Sequence, residues 1–316
     1  MIRFAGEIRM INIKEKFLGG MIGSALGDAI GELAFRFRKK EDLDSRLEVL
    51  EEFHYTDDTA MAIGLAESLI KKGGLDQTDL GERFHQNYLK EPWRGYGPGP
   101  PTLFRMVENS EISYVEAAKS LFRGQGSFGN GAAMRIVPLG LFFFDSPDVY
   151  EKACASSEVT HTHPLGRDGA AIQAKAVAIA TGCDPTEPFP QEKFVAQLIQ
   201  TAETPEMKEK LLLIRQSLAD KTSPSQAICL LGRSVAVHES VPFALFSFLR
   251  HPKSFTECLY CAILNGGDRD TLGAMACAIS GSYLGIEAIP SVWMDKLENR
   301  CYIETLALNL SEGKRP

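Results

Sequence analysis

The sequence lacks any long apolar run, and this absence argues against a membrane protein. The apolar stretch Leu139–Phe144 is far shorter than the roughly 18 residues that a membrane-spanning helix needs. Charged residues also interrupt every apolar stretch of the first twenty residues, so the continuous apolar region of a secretory signal peptide is missing. We therefore expect no membrane partner, and we interpret residues 1–10 as an optional, disordered extension with Met10 as an alternative start.

An excess of positive charge is also missing. The 34 lysines and arginines are outnumbered by 41 aspartates and glutamates, which gives a formal net charge of −7. A nucleic-acid-binding protein needs a basic surface to neutralise phosphates, so we expect no direct nucleic-acid partner. The short basic run at 36–40 favours a solvated loop over a contact with an anionic ligand.

The cysteines do not form a disulfide framework. Seven cysteines, an odd number, are scattered along the chain, which favours reduced thiols in the cytoplasm. Cys258 and Cys261 make a lone CxxC pair without a second pair or a nearby histidine to complete a zinc site. Their spacing is typical of one face of an apolar helix, so we interpret both as core residues.

Alternating patterns typical of β-strands are scarce, whereas helical spacing is common. Met61, Leu65 and Leu69 recur at i, i+4 and i+8, and Gly73 with Gly74 predicts the end of that helix. The apolar fraction of 44% is ordinary for a globular protein, and no linker or repeat interrupts the chain. We therefore predict one compact, all-α domain spanning residues 1–316.

Two helical segments and two loops stand out by composition. Residues 169–180 and 271–284 are rich in alanine, glycine and serine, which predicts central helices packed at short distance. Glycine and proline predict loops at 95–101 and 124–131.

The strongest chemical signal is a pair of aspartates, Asp57 and Asp58, flanked by threonines directly before the helix at 59–70. Taken alone, this segment fits a helix cap and a metal ligand equally well. A second acidic segment, Asp268 and Asp270, precedes the small-residue helix in the same way. If the segments meet, their oxygen atoms suit Mg²⁺ or Mn²⁺, and two ions would neutralise carboxylates that otherwise repel one another.

The glycine-rich segment 124–135 offers backbone N–H groups to an anion, although as an isolated signal it fits a flexible loop as well. It is neither a P-loop nor a dinucleotide fingerprint, because no strand precedes it and no GK[ST] follows. The THTHPLG segment contains His161 and His163. His161 fits a ligand-positioning role and a buried structural role, whereas His163 is interpreted as structural or exposed.

In their order along the chain, these segments resemble the ADP-ribosylglycohydrolase family, which includes dinitrogenase reductase-activating glycohydrolases and ADP-ribosylserine hydrolases. The resemblance covers nearly the whole chain. In detail, the sequence is similar to the ADP-ribosylserine hydrolase branch. The segments that carry it are GGMIGSALGDAIG (19–31), YTDDTAMA (55–62), RGYGPG (94–99), GSFGNGAAMR (126–135), THTHPLG (160–166), ESVPFALFSFLR (239–250), GGDRDT (266–271) and GAMACAISGSYLG (273–285).

This resemblance implies an all-α fold with two Mg²⁺ ions, or Mn²⁺, in a central cleft. The implied metal ligands are Thr56, Asp57, Asp58, Asp268, Asp270 and Thr271. The residues implied to hold the diphosphate are Gly126, Ser127, Phe128 and Gly129. His161 and Leu165 are implied to line the ADP-ribose cleft, with Phe122 beside the adenosine half.

The chain departs from the family pattern at two positions. Arg269 stands between the two aspartates of GGDRDT, where a small residue is usual, and we expect its side chain to point away from the metals. Phe35 occupies the position of a functional glutamate of the serine-specific branch, and Glu32 is the only acid nearby. Asp28 is interpreted as a structural residue at a helix terminus or behind the metal ligands.

The resemblance implies hydrolysis of the glycosidic bond that joins ADP-ribose to a protein side chain, with a serine linkage favoured. Asp58 or Asp270 would take a proton from the attacking water, and Glu32 would protonate the leaving group. We expect ADP-ribosylated proteins or peptides as substrates and a monomeric protein. An arginine-specific hydrolase and a catalytically silent ADP-ribose-binding protein are the alternatives.

Overall fold

The computed structural model describes residues 12–313, and the interpretation of residues 1–10 lies outside this range. No β-strand occurs in this range, where only Phe53 with Leu297 and Gly129 with Ala236 form isolated bridges. The helices are α1 (Ile13–Ala34), α2 (Lys40–Val49), α3 (Asp57–Lys72), α4 (Gln77–Lys90), α5 (Gly99–Asn109), α6 (Tyr114–Gly124), α7 (Gly131–Met134), α8 (Val137–Phe142), α9 (Val149–Glu158), α10 (Pro164–Gly182), α11 (Gln191–Thr201), α12 (Pro205–Ala219), α13 (Pro224–Leu231), α14 (Val237–Arg250), α15 (Phe255–Leu264), α16 (Arg269–Leu284), a 3₁₀ turn (Ile286–Ala288), α17 (Ser291–Met294) and α18 (Arg300–Glu312).

The first and sixteenth helices cross at the centre of the fold with almost no side chain between them. A Cβ atom added to Gly27 of α1 would lie 2.2 Å from the carbonyl oxygen of Gly273, and one added to Gly19 would lie 2.4 Å from that of Gly281. Real side chains cannot occupy such positions, so these glycines are what allows the two backbones to touch. The predicted central, small-residue helix at 271–284 is confirmed.

The other sequence-based predictions of helices are largely confirmed. The apolar residues of 59–70 belong to α3, which ends at Gly73 in the left-handed conformation (φ +65°). The segment 169–180 lies within α10. The predicted loop at 95–101 is partly wrong, because α5 already begins at Gly99. Prolines 100 and 101 fall in its first turn, where a missing N–H costs no helical hydrogen bond.

The paired cysteines lie in the core, as predicted. Cys258 and Cys261 are buried on α15, and the Cys258 Sγ lies 3.7 Å from the Ala276 carbonyl oxygen of α16. All seven cysteines are free thiols. The basic run at 36–40 is exposed apart from Phe37, and Lys40 pairs with Asp44 at 2.7 Å. None of the helices between residues 12 and 313 is both long and apolar enough to cross a bilayer.

Candidate active site

The two acidic segments meet in the folded chain. The Thr271 Oγ1, in the first turn of α16, lies 3.4 Å from Oδ2 of Asp58, in the first turn of α3. Asp57, Asp58, Asp268, Asp270 and Thr271 line one cleft of about 520 Å³, together with the glycine-rich loop. The close crossing of α1 and α16 brings these two helix N-termini to one side of the fold.

The threonine before the aspartates fills the capping role at α3. Thr56 is the N-cap residue, and its side chain accepts a hydrogen bond from the Asp58 N–H at 3.4 Å. Neither Asp57 nor Asp58 is needed as a cap, so their carboxylates are available for other chemistry. This geometry separates the two interpretations that the sequence left open and favours a ligand role for the aspartates.

Asp28 anchors the TDDT segment through hydrogen bonds to its carboxylate. It is completely buried, and its carboxylate accepts hydrogen bonds from the hydroxyls of Thr56 (2.8 Å) and Thr59 (2.6 Å) and from both backbone N–H groups. The interpretation as a structural residue is confirmed, and of its two predicted places the one behind the acidic residues is correct and the helix terminus is wrong. Asp28 lies inside α1, which continues to Ala34 and carries the carboxylate beneath the cleft.

The carboxylates of the cleft repel one another in a buried setting. Burial, followed by the neighbouring Asp28, raises the pKa of Asp57 to about 7. Burial and the Asp268 carboxylate raise the pKa of Asp270 to about 8. The same causes, burial first, raise the pKa of Asp58 well above its ordinary value. A cluster of this kind is stable in its ionised form only when positive charge lies among the carboxylates.

The oxygen atoms of this acidic cluster are suited to divalent cations. The Asp58 Oδ1 is buried and has no hydrogen-bond partner, an exceptional state for a carboxylate oxygen that a cation would satisfy. Carboxylate and hydroxyl oxygens form a hard donor set that suits Mg²⁺ or Mn²⁺. Within residues 12–313, no three acidic, histidine or cysteine side chains converge tightly enough to enclose one ion by themselves. The threonine hydroxyls and water would therefore have to complete any coordination.

Asn130 connects the glycine-rich loop to the acidic cluster. Its Nδ2 donates a hydrogen bond to Oδ2 of Asp268 at 2.7 Å, and its backbone N–H donates to the Val235 carbonyl at 2.9 Å. The Asp268 N–H in turn donates to the Arg233 carbonyl at 3.0 Å. Sequence reasoning missed this residue, because an asparagine between glycines looks like ordinary turn chemistry.

The glycine-rich loop borders the cleft as predicted. Gly126 adopts a left-handed conformation (φ +73°), and a Cβ there would lie 2.2 Å from the Thr162 hydroxyl. The Ser127 hydroxyl accepts a hydrogen bond from the Gly129 N–H at 3.1 Å. The rings of Phe122 and Phe128 remain about half exposed, at 55% and 45%, beside this loop. Two apolar rings beside a glycine-rich backbone suit a ligand with a flat ring and an anionic group.

The two histidines lie in different settings, and only His163 has a structural role that the structure shows. His161 is buried and lines the cleft, and its Nδ1 lies 2.7 Å from the Thr160 Oγ1. Burial, together with the nearby Arg135, lowers the pKa of His161 to about 3, so its ring is neutral. His163 is the N-cap of α10, and its Nδ1 accepts a hydrogen bond from the Leu165 N–H at 3.2 Å.

Several residues singled out by the sequence, the predicted ligand Thr56 among them, lie outside the lining of the cleft. Leu165 is half-buried and packs against the core, and Glu32 is exposed in the last turn of α1. Arg269 is buried with its side chain directed to the Ile263 carbonyl, which confirms that it points away from the acidic cluster. Phe35 follows α1 and is also outside the lining.

Arg94 is a second residue whose role the sequence did not indicate. Its guanidinium donates to the Tyr55 carbonyl at 3.0 Å and pairs with Glu298, which also accepts from the Tyr55 N–H at 2.7 Å. The same guanidinium lies 4.1 Å from the centre of the Tyr55 ring. Tyr55 directly precedes the TDDT segment, so this pair holds the backbone that leads into the acidic site.

The fold and the cleft define a class of helical protein in which acidic helix N-termini and a glycine-rich loop line one cleft. Comparison with known proteins gives the family. The family model of the ADP-ribosylglycohydrolases matches residues 9–316. The cattle protein ADP-ribosylhydrolase ARH3 is 33% identical over 97% of this chain and 94% of its own length.

Two further comparisons agree with this assignment. The ADP-ribosyl-[dinitrogen reductase] glycohydrolase of Rhodospirillum rubrum is 27% identical over 91% of this chain and 92% of its own. A solved structure described as an ADP-ribosylglycohydrolase-related protein complex superimposes with a TM-score of 0.72 at 23% identity, covering 96% of this chain and 99% of that one. The chain belongs to the ADP-ribosylglycohydrolase family.

Proposed function

We propose that this protein hydrolyses the glycosidic bond between ADP-ribose and a serine side chain of a modified protein, in a reaction that depends on Mg²⁺. The observation that carries the proposal is the meeting of the two acidic segments, with an unpartnered Asp58 oxygen, at the end of a cleft bordered by a glycine-rich loop. The 33% identity to a protein named ADP-ribosylhydrolase ARH3, over most of both chains, supports the substrate class.

The cleft offers matching partners for each part of ADP-ribose. The N–H groups of Gly126 and Gly129 donate to the Leu121 carbonyl and the Ser127 hydroxyl, so the backbone N–H groups of Ser127 and Phe128 between them would bind the diphosphate. The exposed ring of Phe122 would stack beside the adenosine half, and His161 would donate a hydrogen bond from the wall of the cleft. The distal ribose would then lie at the acidic end.

The ligand set proposed for two Mg²⁺ ions, with Mn²⁺ as a substitute, is Thr56, Asp57, Asp58, Asp268, Asp270 and Thr271. When bound, these ions would neutralise the carboxylates and supply Lewis-acid activation of water. Thr56 and Thr271 present hydroxyl oxygens from two helix N-termini, and Asp28 holds Thr56 in place from behind.

The acidic residues have two tasks in the proposed reaction. Asp58 or Asp270 would accept a proton from the attacking water. Their negative charge also stabilises the positive charge that develops on the sugar in an oxocarbenium-like transition state. Glu32 is the candidate proton donor to the leaving serine hydroxyl, and the variant Glu32→Gln tests this role.

The proposal extends to the organisation of the protein. We infer that residues 1–316 form a single domain that acts as a monomer in the cytoplasm. A mass measurement in solution tests the monomer, and limited proteolysis tests the single domain.

A comparison of substrates tests the proposal directly. Release of ADP-ribose is measured from serine-linked and arginine-linked peptides, each with Mg²⁺ and after chelation. We expect Mg²⁺-dependent release from the serine-linked peptide. Faster release from the arginine-linked peptide would make the protein an arginine-specific hydrolase. Binding of ADP-ribose without release from either peptide would make it a silent binding protein, and both results would overturn the proposal.

A further inference from the structure

Arg135 is the largest completely buried side chain of the described residues, and it has no carboxylate hydrogen-bonded to it. Its Nη2 donates to the Thr160 Oγ1 at 2.7 Å, and its Nη1 lies 3.7 Å from the Met61 sulfur. The guanidinium carbon lies 4.4 Å from the centre of the Phe84 ring, while Nε has no partner. A buried charge with so few polar partners is costly, so a role beyond packing is expected of it.

The contact with Thr160 determines how that hydroxyl is oriented. A guanidinium only donates hydrogen bonds, so the Thr160 Oγ1 must accept from Arg135. The hydroxyl still carries its own proton, and the His161 Nδ1 lies 2.7 Å away. Among residues 12–313, no other acceptor is within hydrogen-bonding distance of Thr160 Oγ1. The hydroxyl proton therefore points to the His161 Nδ1, which must be unprotonated to accept it.

The other edge of the His161 ring faces the glycine-rich loop. A Cβ added to Gly131 would lie 3.1 Å from Nε2, and one added to Gly129 would lie 3.7 Å from the same atom. Only residues without a side chain leave this nitrogen open toward the cleft. Because the ring is neutral and its Nδ1 accepts a hydrogen bond, its single proton lies on Nε2.

We propose that Arg135 and Thr160 are positioning residues that fix His161 as a neutral ring with its proton on Nε2, where it donates to an oxygen of the bound ligand. This inference rests on the function proposed above for the identity of the ligand, an ADP-ribose unit. It assigns a purpose to the buried arginine: with the guanidinium bonded to the Thr160 oxygen, a proton on Nδ1 would leave the hydroxyl proton without an acceptor, which disfavours the other tautomer of the ring. Neither Arg135 nor Thr160 has to touch the ligand.

The tautomer can be read by nitrogen–proton correlation spectra of protein with ¹⁵N-labelled histidine. In the wild-type protein we expect the Nε2 of His161 to be protonated and the Nδ1 to be an acceptor. The variant Thr160→Val keeps the shape of the side chain but removes the hydroxyl, so the ring should lose its preference for this tautomer. The matched control Thr160→Ser keeps the hydroxyl and should keep the wild-type signature.

Binding of free ADP-ribose provides the second readout. We expect Thr160→Val to weaken binding about tenfold, the effect of losing one well-directed hydrogen bond, and Thr160→Ser to stay within about twofold of wild type. Thermal unfolding of both variants checks that each is folded. A weaker affinity with an unchanged tautomer would show that Thr160 acts through packing, and would overturn the proposal.

The wild-type spectrum alone is decisive if the valine variant does not fold. A proton on Nδ1, or a doubly protonated ring at neutral pH, would overturn the positioning role whether or not the protein hydrolyses its substrate. The expected tautomer in a protein that releases no ADP-ribose would instead leave the positioning role standing and overturn the proposed function.

Discussion

The Oγ1 of Thr271 lies 3.4 Å from Oδ2 of Asp58, although 213 residues separate them along the chain. The contact exists because α1 carries Asp28 beneath the TDDT segment while its glycines lie directly against the backbone of α16. One buried crossing of two helices therefore brings both acidic helix N-termini to the same cleft.

Replacing Asp58 by asparagine should stabilise the protein while abolishing its activity. The substitution keeps the shape of the side chain but removes one of several buried carboxylates that repel one another. In the absence of divalent cations, we expect the free energy of unfolding to rise by about 1–3 kcal/mol. Hydrolysis should fall by at least about 100-fold, and Mg²⁺ should no longer raise the melting temperature.

Glu111→Gln is the matched control for this variant, because Glu111 is an exposed acid in the turn before α6. It should change neither stability nor activity. Full activity in Asp58→Asn would contradict the catalytic assignment. A lower free energy of unfolding for Asp58→Asn in the absence of cations would contradict the inference that the buried carboxylates repel one another.

Asn130→Ala should weaken the response to Mg²⁺ without unfolding the protein. The variant removes the hydrogen bond from the Asn130 side chain to Asp268 and leaves that carboxylate free to rotate. We expect a 10–100-fold rise in the Mg²⁺ concentration that gives half-maximal activity, as found for groups that orient metal ligands. Asn109→Ala, which removes an exposed amide on α5, is the control. An unchanged Mg²⁺ dependence in Asn130→Ala would show that the hydrogen bond from Asn130 is not needed to orient the Asp268 carboxylate.

Gly27→Ala should strongly destabilise the fold. The added methyl group would lie 2.2 Å from the Gly273 carbonyl oxygen, and the backbone of α16 cannot yield without separating the two helices. We expect a loss of about 3 kcal/mol in chemical denaturation. The control is Gly182→Ala at the end of α10, where no atom lies within 4 Å of an added Cβ. Equal stability of the two variants would refute the close crossing of α1 and α16.

The buried His161 should make the protein sensitive to acid. Its pKa is lowered to about 3 in the folded state, whereas the exposed ring of the unfolded chain titrates near 6.5. Between these values the unfolded chain binds the extra proton, so this group's contribution to stability is lost as the pH falls.

The comparison of wild type with His161→Gln isolates this effect from the other titrating groups. The difference in the free energy of unfolding between the two proteins should shift by about 1 kcal/mol between pH 6 and pH 5, to the disadvantage of wild type. Urea denaturation at both pH values measures it. A difference that does not change with pH would show that the ring is not held neutral.

The sequence predicted the parts of this site that depend on local chemistry. Paired aspartates before a helix, and glycines in a loop, mark the segments that line the cleft, although residue type and spacing alone also fit a helix cap and a flexible loop. The residues that hold them together were not predictable in this way. Asn130 and Arg94 act through partners more than 130 residues away, at Asp268 and Glu298, and only the packed fold creates those contacts.

Arg135 gave a signal that sequence reasoning passed over. It stands alone among apolar residues at 132–142, a pattern that indicates a buried charge with a specific partner. Its partner Thr160 could not be inferred, because the contact depends on how the end of α7 lies against the connection between α9 and α10. The choice for Asp28 between a helix terminus and a place behind the acidic residues stayed open for a similar reason, since nothing local shows that α1 continues to Ala34.

Diffraction from crystals soaked in Mn²⁺, measured at the manganese absorption edge, tests the central claim most directly. We predict anomalous density between the carboxylates of Asp58 and Asp270, within coordination distance of the threonine hydroxyls, and its loss in crystals of Asp58→Asn. Crystals that bind Mn²⁺ only elsewhere on the protein, with no anomalous density between these two helix N-termini, would contradict the account.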